Sequence, residues 1–185
     1  MASSLFILGG ARSGKSRFAV AGLPVRGRVT VIVTAEPRDA DMAARIARHQ
    51  AERPAAWTTV EAPLELTAQV AAAVPAADIV VVDCLTLWVS NLMLRGDDDA
   101  AILKEADALA ALVAAPAAEL RLVSNEVGFG VHPPTPAGLR FRDILGLVNQ
   151  RVAAAASRVV LMVAGLPHLI KDVPHGQRSD ALETS

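Results

Sequence analysis

The sequence predicts an α/β fold in which a mostly parallel central sheet is flanked by helices. Short apolar segments rich in β-branched residues alternate along the chain with longer alanine-rich segments. The apolar segments are continuous rather than alternating, as expected for parallel strands that helices cover on both faces. A glycine-rich segment joins the first apolar segment to the first helical one. Regular strand–helix alternation implies right-handed crossovers between parallel strands.

Five strands and five helices are predicted in alternation. The strands are residues 4–8, 29–34, 79–83, 120–124 and 159–163, and the helices are residues 15–21, 41–52, 64–73, 100–114 and 139–156. Pro54 ends the second helix and Pro75 follows the third, because proline cannot continue a helix. Three aspartates at 97–99 precede the fourth helix, where carboxylates favour the helix dipole. Residues 125–138 hold several glycines and prolines and are predicted to be a loop that follows a strand, where α/β sheets bind ligands.

Length and composition predict one globular domain with a short tail. The chain has 185 residues, which suits a single nucleotide-binding domain over residues 1–171, and the polar residues 172–185 are expected to be a mobile tail. A net charge of −1 and only 3% aromatic residues argue against a nucleic-acid partner.

The apolar stretches and the cysteine count predict a cytoplasmic protein. The apolar stretches are interrupted by polar residues, so no membrane span is expected, and no secretory leader is expected either. The single cysteine, Cys84, cannot form an intramolecular disulfide and fits a reducing compartment.

The glycine-rich segment matches a phosphate-binding loop in full. Its residues follow the pattern G-x-x-x-x-G-K-[ST]: Gly9, Gly10, Ala11, Arg12, Ser13, Gly14, Lys15 and Ser16. Backbone amides of such a loop point at phosphate oxygens, Lys15 is placed to reach the β- and γ-phosphates, and the Ser16 hydroxyl to ligate Mg²⁺. A turn that binds nothing is the competing interpretation, which the strand–loop–helix context disfavours. The motif predicts a P-loop NTPase fold of the RecA-like type.

Asp83 ends an apolar strand, and the functional interpretation is that its carboxylate helps to hold Mg²⁺ beside the P-loop. The alternative is an aspartate that only caps a turn. Cys84, next to it, is interpreted as a small core residue rather than a nucleophile.

The second predicted helix carries one histidine between arginines. Arg45, His49 and Arg53 are spaced four residues apart, so they are predicted to share one helix face. Such a face could hold a polyphosphate, or the imidazole could attack a phosphorus atom and pass the group on. A solvated surface histidine is the simpler alternative, and the spacing alone does not decide between them.

Five blocks of sequence resemble the bifunctional adenosylcobinamide kinase/adenosylcobinamide-phosphate guanylyltransferase family of cobalamin biosynthesis. The blocks are residues 9–16 (GGARSGKS), 42–54 (MAARIARHQAERP) with Trp57 and Glu61, 82–92 (VDCLTLWVSNL), 124–133 (SNEVGFGVHP) and 140–150 (RFRDILGLVNQ). The P-loop is shared by many families, whereas the order of the other blocks is specific. The resemblance extends from Leu5 to about Lys171.

The resemblance implies a role for individual residues. It places the family's guanylylated histidine at His49. It also implies nucleotide contacts by the P-loop and by Thr34, Ala35, Glu36, Gln50, Ala51, Glu52, Arg53, Glu61 and Asp83. The partners implied are ATP, GTP, Mg²⁺ and adenosylcobinamide, and the implied assembly is a homo-oligomer, a trimer.

The expected function is therefore a two-step enzyme. It would phosphorylate adenosylcobinamide with ATP or GTP and then transfer GMP from GTP, through a guanylyl-histidine, to give adenosylcobinamide-GDP. Two alternatives stay open: a monofunctional P-loop kinase, and a RecA-like NTPase switch whose hydrolysis moves a partner.

Overall fold

A computed structural model of the chain has a seven-stranded sheet with helices on both faces. It describes residues 2–37 and 40–173, without the side chains of Asp41, Arg45 and His49. The strands are β1 (Ser4–Gly9), β2 (Val29–Val33), β3 (Thr58–Glu61), β4 (Ile79–Asp83), β5 (Glu119–Val123), β6 (Arg158–Val163) and β7 (Leu166–Asp172). The helices are α1 (Lys15–Val20), α2 (Ala40–Ala51), α3 (Leu66–Ala73), α4 (Leu85–Arg95), α5 (Asp99–Ala114) and α6 (Pro136–Ala155).

The strand order is β3-β2-β4-β5-β1-β6-β7, and all neighbours are parallel except the last pair. The carboxyl ends of β1, β2, β4 and β5 therefore meet at one edge of the sheet. The turn between β6 and β7 is at the same end, because β7 runs back antiparallel to β6. The prediction of a mostly parallel sheet flanked by helices is confirmed.

Three elements were absent from the sequence prediction. β3 has no apolar run and is exposed at three of its four positions. β7 contains Pro167 and is exposed at six of its seven residues, as an edge strand can be. α4 follows β4 after a single residue, so its apolar residues read in sequence as a continuation of the strand. The five predicted strands and five predicted helices are present with ends shifted by up to three residues.

Two apolar layers cover the faces of the sheet. The larger layer packs α3, α4, α5 and α6 on residues such as Phe6, Val80 and Leu122. The smaller layer packs α1 on the opposite face, against Ile7 and Val81. Alternate residues of each central strand thus enter different layers, which explains why those strands are apolar throughout.

Side chains cap the helices of the larger layer. Asp98 accepts a hydrogen bond from the Ala101 amide at 2.8 Å, and Thr135 accepts one from the Gly138 amide at 3.1 Å. Gly96 ends α4 in the left-handed conformation, at φ 102°.

No helix in residues 2–37 and 40–173 is both long and apolar enough to cross a membrane. The predicted domain of residues 1–171 stays a prediction. Asp172 is the last residue of β7, and residues 174–185 of the predicted tail lie outside the described part of the chain.

The indole of Trp88 supports a stability prediction. Trp88, a residue of α4, is fully buried, and its Nε1 donates a hydrogen bond to the Leu64 carbonyl at 2.9 Å. We expect Trp88→Ala to lower the free energy of unfolding by about 3–5 kcal/mol, because it leaves a cavity and an unpaired carbonyl. Leu94→Ala on the same helix is the control, since Leu94 is 64% exposed. Urea unfolding measures both, and equal effects of the two changes would contradict this account of the core.

Candidate active site

The P-loop joins β1 to α1 and bends through backbone angles that favour glycine. Gly14 has φ 94° and Gly9 has φ 150°. A Cβ on Gly9 would lie 2.6 Å from the Met162 carbonyl oxygen of β6 and 2.7 Å from Ser13 Oγ. The loop therefore packs directly against β6, and there is no room for a side chain at its first position.

Backbone hydrogen bonds hold the P-loop from two sides. The Gly165 amide, in the β6–β7 turn, donates to the Ser13 carbonyl at 3.1 Å. The Glu126 amide, which follows β5, donates to the Gly9 carbonyl at 3.1 Å. Both neighbours of β1 thus contribute to the shape of the loop.

Lys15 places its ammonium group inside the P-loop. The residue is 7% exposed, and Nζ donates to the Gly10 carbonyl at 2.5 Å and to Ser13 Oγ at 3.4 Å. Ser16 follows it in the first turn of α1 and is partly exposed. At the outer side of the loop, Gly10, Ala11 and Arg12 are exposed. The predicted strand–loop–helix context of the motif is therefore present.

Asp83 lies at the same edge of the sheet, at the end of β4. Since β5 lies between β4 and β1, the strands that carry Asp83 and the P-loop are about 10 Å apart. Thr34 joins the ends of β2 and β4, because its hydroxyl accepts from the Cys84 amide at 3.0 Å and donates to the Cys84 carbonyl at 2.7 Å. The side chain of Thr34 is fully buried, and the Asp83–Cys84 peptide bond is cis.

A cleft lies between α2 and the carboxyl ends of β2 and β4. It is lined by both apolar and polar side chains. Its lining residues are Val33, Ala35, Met42, Ile46, Gln50, Arg53, Asp83, Cys84 and Leu87. The structure therefore brings together four residues that the sequence predicted to contact nucleotide: Ala35, Gln50, Arg53 and Asp83.

The charges in this cleft influence one another. Burial lowers the pKa of the Arg53 guanidinium, and the nearby carboxylate of Asp83 opposes that shift. Arg53 also donates a hydrogen bond to Thr59 Oγ1 at 3.3 Å, which ties it to β3. A half-buried guanidinium can bind a phosphate directly, and the carboxylate beside it can bind the hydrated metal ion that accompanies the phosphate.

The Cys84 thiol is a poor nucleophile in this setting. Burial, reinforced by the Asp83 carboxylate, raises its pKa to about 11. The thiolate that would react is therefore scarce at neutral pH. This agrees with the interpretation of Cys84 as a packing residue.

His49 lies on α2, the helix that contributes Met42, Ile46 and Gln50 to the cleft. The predicted helix face shared by Arg45, His49 and Arg53 is wrong for Arg53, which lies beyond the last residue of α2, and the side chains of Arg45 and His49 lie outside the described residues. α2 ends at Ala51, and the Arg53 amide donates to the Gln50 carbonyl in the turn that follows.

The other predicted contact residues surround this region. Glu61 ends β3 opposite Val33 of β2, and Glu36 is partly buried after β2. Ala51 and Glu52 are exposed at the end of α2.

Sequence reasoning missed a polar network behind the P-loop. The Asn125 amide donates to Thr86 Oγ1 at 2.7 Å, and the Asn125 carbonyl accepts from Asn149 Nδ2 at 3.0 Å. Asn149 is 4% exposed, and within the described residues its Oδ1 is buried without a hydrogen-bond partner. The available signal was an asparagine among the apolar residues of a long helix, α6. Its partner is distant in sequence, so the pattern could not identify it.

The fold resembles that of a solved P-loop ATPase. An ATPase from the type III secretion system of pathogenic bacteria superimposes with a TM-score of 0.53 at 12% identity, covering 86% of this chain. The aligned region is 50% of that ATPase, so this chain spans half its length. At this identity the likeness shows the fold alone, and the predicted P-loop NTPase fold is confirmed.

Curated relatives are much more similar in sequence. The bifunctional adenosylcobalamin biosynthesis protein CobP of Pseudomonas aeruginosa is 43% identical over 169 residues, 91% of this chain and 97% of the relative. The bifunctional adenosylcobalamin biosynthesis protein CobU of Salmonella typhimurium is 40% identical over 179 residues, 90% of this chain and 99% of the relative.

A sequence profile of one family matches residues 5–170, nearly the same extent as the resemblance stated from the motifs. The chain belongs to the cobinamide kinase / cobinamide phosphate guanyltransferase family and is an enzyme of that family.

Proposed function

We propose that the chain catalyses two successive steps of cobalamin biosynthesis. It phosphorylates adenosylcobinamide with ATP or GTP, and it then transfers GMP from GTP to the product, giving adenosylcobinamide-GDP. The observation that carries the proposal is the position of Gln50, Arg53 and Asp83 in one cleft, at the same edge of the sheet as a complete P-loop. Membership of the family supports both reactions.

In the first step, the γ-phosphoryl group moves to the hydroxyl group of the cobinamide side arm. The oxygen of that hydroxyl forms a bond to the γ-phosphorus, the nucleoside diphosphate leaves with the electrons of the broken P–O bond, and the hydroxyl proton passes to solvent. Lys15 stabilises the negative charge of the transferring group from inside the loop.

Oxygen donors that suit Mg²⁺ are present at this site. The Ser16 hydroxyl lies in the first turn of α1, and the Asp83 carboxylate is at the end of β4, a strand about 10 Å from β1. Mg²⁺ prefers oxygen ligands and keeps several waters, so Ser16 and Asp83 would hold the ion, directly or through water. When bound, the ion neutralises charge on the phosphates.

In the second step, His49 is the nucleophile. A ring nitrogen attacks the α-phosphorus of GTP, an N–P bond forms, and pyrophosphate leaves with the electrons of the broken P–O bond. A phosphate oxygen of cobinamide phosphate then attacks the same phosphorus and releases the imidazole. Arg53 stabilises negative charge near α2, and the apolar side of the cleft accommodates the flat guanine base.

We also propose that the enzyme acts as a homo-oligomer, a trimer by family resemblance. β7 supports self-association, because this edge strand exposes Leu166, Leu169 and Ile170. Location in the cytoplasm stays a prediction from the sequence, which rests on its interrupted apolar stretches, its N-terminal residues and its single cysteine.

Covalent labelling tests the role of His49. We expect the wild-type chain incubated with α-labelled GTP to carry an acid-labile GMP group, and His49→Ala to carry none while it keeps most of its kinase activity. His168→Ala is the matched control, because His168 is exposed on β7, away from α2. If His49→Ala is labelled as strongly as wild type, the nucleophile is another residue. A wild-type chain without any label would favour a monofunctional kinase.

Replacing the P-loop lysine tests the first step. We expect Lys15→Met to lower kcat for cobinamide phosphorylation by about 10²–10³, because a fixed positive charge near the transferring group is removed. Lys104→Met is the control, because Lys104 is exposed on α5. Product formation is followed by the visible absorbance of the corrinoid after chromatography. Nucleotide hydrolysis that is undiminished and independent of cobinamide would instead favour an NTPase switch.

The dependence on magnesium tests Asp83. We expect Asp83→Asn to raise the Mg²⁺ concentration needed for half-maximal kinase activity by about tenfold, since the neutral amide attracts the hydrated ion less. Asp107→Asn, an exposed aspartate of α5, should leave that concentration unchanged. An unchanged Mg²⁺ titration for Asp83→Asn would remove Asp83 from the site.

A further inference from the structure

The loop between β5 and α6, residues 124–135, begins beside the P-loop. Because β5 lies between β4 and β1, this β5–α6 loop emerges between Asp83 and the P-loop. The Glu126 amide donates to the Gly9 carbonyl at 3.1 Å. A molecule that receives a phosphoryl group from a nucleotide in the P-loop must approach from this edge.

The base of the β5–α6 loop is held in place on both sides. Asn125 is bound through its amide to Thr86 and through its carbonyl to Asn149. Val127 packs against the larger apolar layer. The Gly128 amide donates to Glu126 Oε1 at 3.0 Å. The loop therefore starts as an ordered segment whose direction is determined by buried contacts.

The outer part of the loop exposes large apolar side chains. Phe129 is 83% exposed and Val131 is 95% exposed, on either side of Gly130. The Gly130 amide donates to the Val127 carbonyl, which turns the chain between them. The Cα atom of Phe129 lies within about 11 Å of that of Glu126, because each residue spans at most about 3.6 Å.

Exposure of Phe129 is unusual for this chain. The other five aromatic residues are all within the described part and are buried or half-buried: Phe6, Phe18, Trp57, Trp88 and Phe141. Phe129 is thus the one highly exposed aromatic side chain, and it is three residues from Glu126, whose amide binds the P-loop. A solvent-facing aromatic ring in such a position suits an apolar ligand surface.

We infer that Phe129 and Val131 bind the apolar face of the corrin macrocycle of the acceptor and so determine acceptor affinity. This inference rests on the proposed function, which makes a corrinoid the acceptor. The macrocycle is broad, bears methyl groups, and carries the reacting hydroxyl on a side arm. Contact with the loop leaves that arm free to extend toward the P-loop.

Binding and kinetics of Phe129→Ala test the inference. The Kd for cobinamide, from equilibrium dialysis read by corrin absorbance, should rise about tenfold, equivalent to about 1.4 kcal/mol. The KM for cobinamide should rise similarly, whereas KM for GTP and the acceptor-free rate of GMP labelling should stay at wild-type values. Val131→Ala should give a smaller rise, and Phe129→Tyr, which keeps the ring, should remain near wild type.

Leu94→Ala is the matched control, because Leu94 is an exposed apolar residue at the far end of α4. An unchanged Kd for Phe129→Ala, with an active wild-type chain, overturns the loop assignment alone. A change of oligomeric state on size exclusion together with an unchanged Kd would instead make the loop a contact between copies. A wild-type chain that neither binds nor modifies cobinamide would overturn the proposed function itself.

Discussion

The close approach of the P-loop to β6 is the constraint on which the rest of the site depends. Gly9 leaves no room for a Cβ beside the Met162 carbonyl, and Ser13 is bound to the turn that follows β6. These contacts hold the loop backbone in position without a ligand, so its amides and the Lys15 ammonium are preorganised. Preorganised groups of this kind stabilise developing charge without a rearrangement during the reaction.

The parallel sheet then determines what can lie beside that loop. β1, β5, β4 and β2 all end at one edge, so the P-loop, Asn125, Asp83 and Thr34 are adjacent there. The Thr34 hydroxyl is hydrogen-bonded to the backbone of Cys84, and the backbone groups of Asn125 are hydrogen-bonded to the side chains of Thr86 and Asn149. They shape the edge, whereas Lys15, Arg53 and Asp83 supply its charges.

Much of the fold could be predicted because parallel strands are apolar on both faces. Ile79–Asp83 has the same bounds in sequence and structure. β3 and β7 were not predicted, because they are the two edge strands of the sheet, where no apolar pattern is required. The position of Asp83 at the same edge of the sheet as the P-loop could be predicted, because the carboxyl ends of parallel strands share an edge. The hydrogen bond of Asn149 to Asn125 could not be predicted, because it depends on how α6 packs on the sheet.

Val127 separates a buried part of the β5–α6 loop from an exposed part. Residues before it belong to the buried framework that supports the P-loop, whereas Phe129 and Val131 after it are almost fully exposed to solvent in the described chain. Natural variation could therefore exchange the outer segment freely while the nucleotide chemistry is conserved. Under the proposed contact between the tip and the acceptor, replacing a few residues at the tip would change acceptor preference without altering the framework that supports the P-loop.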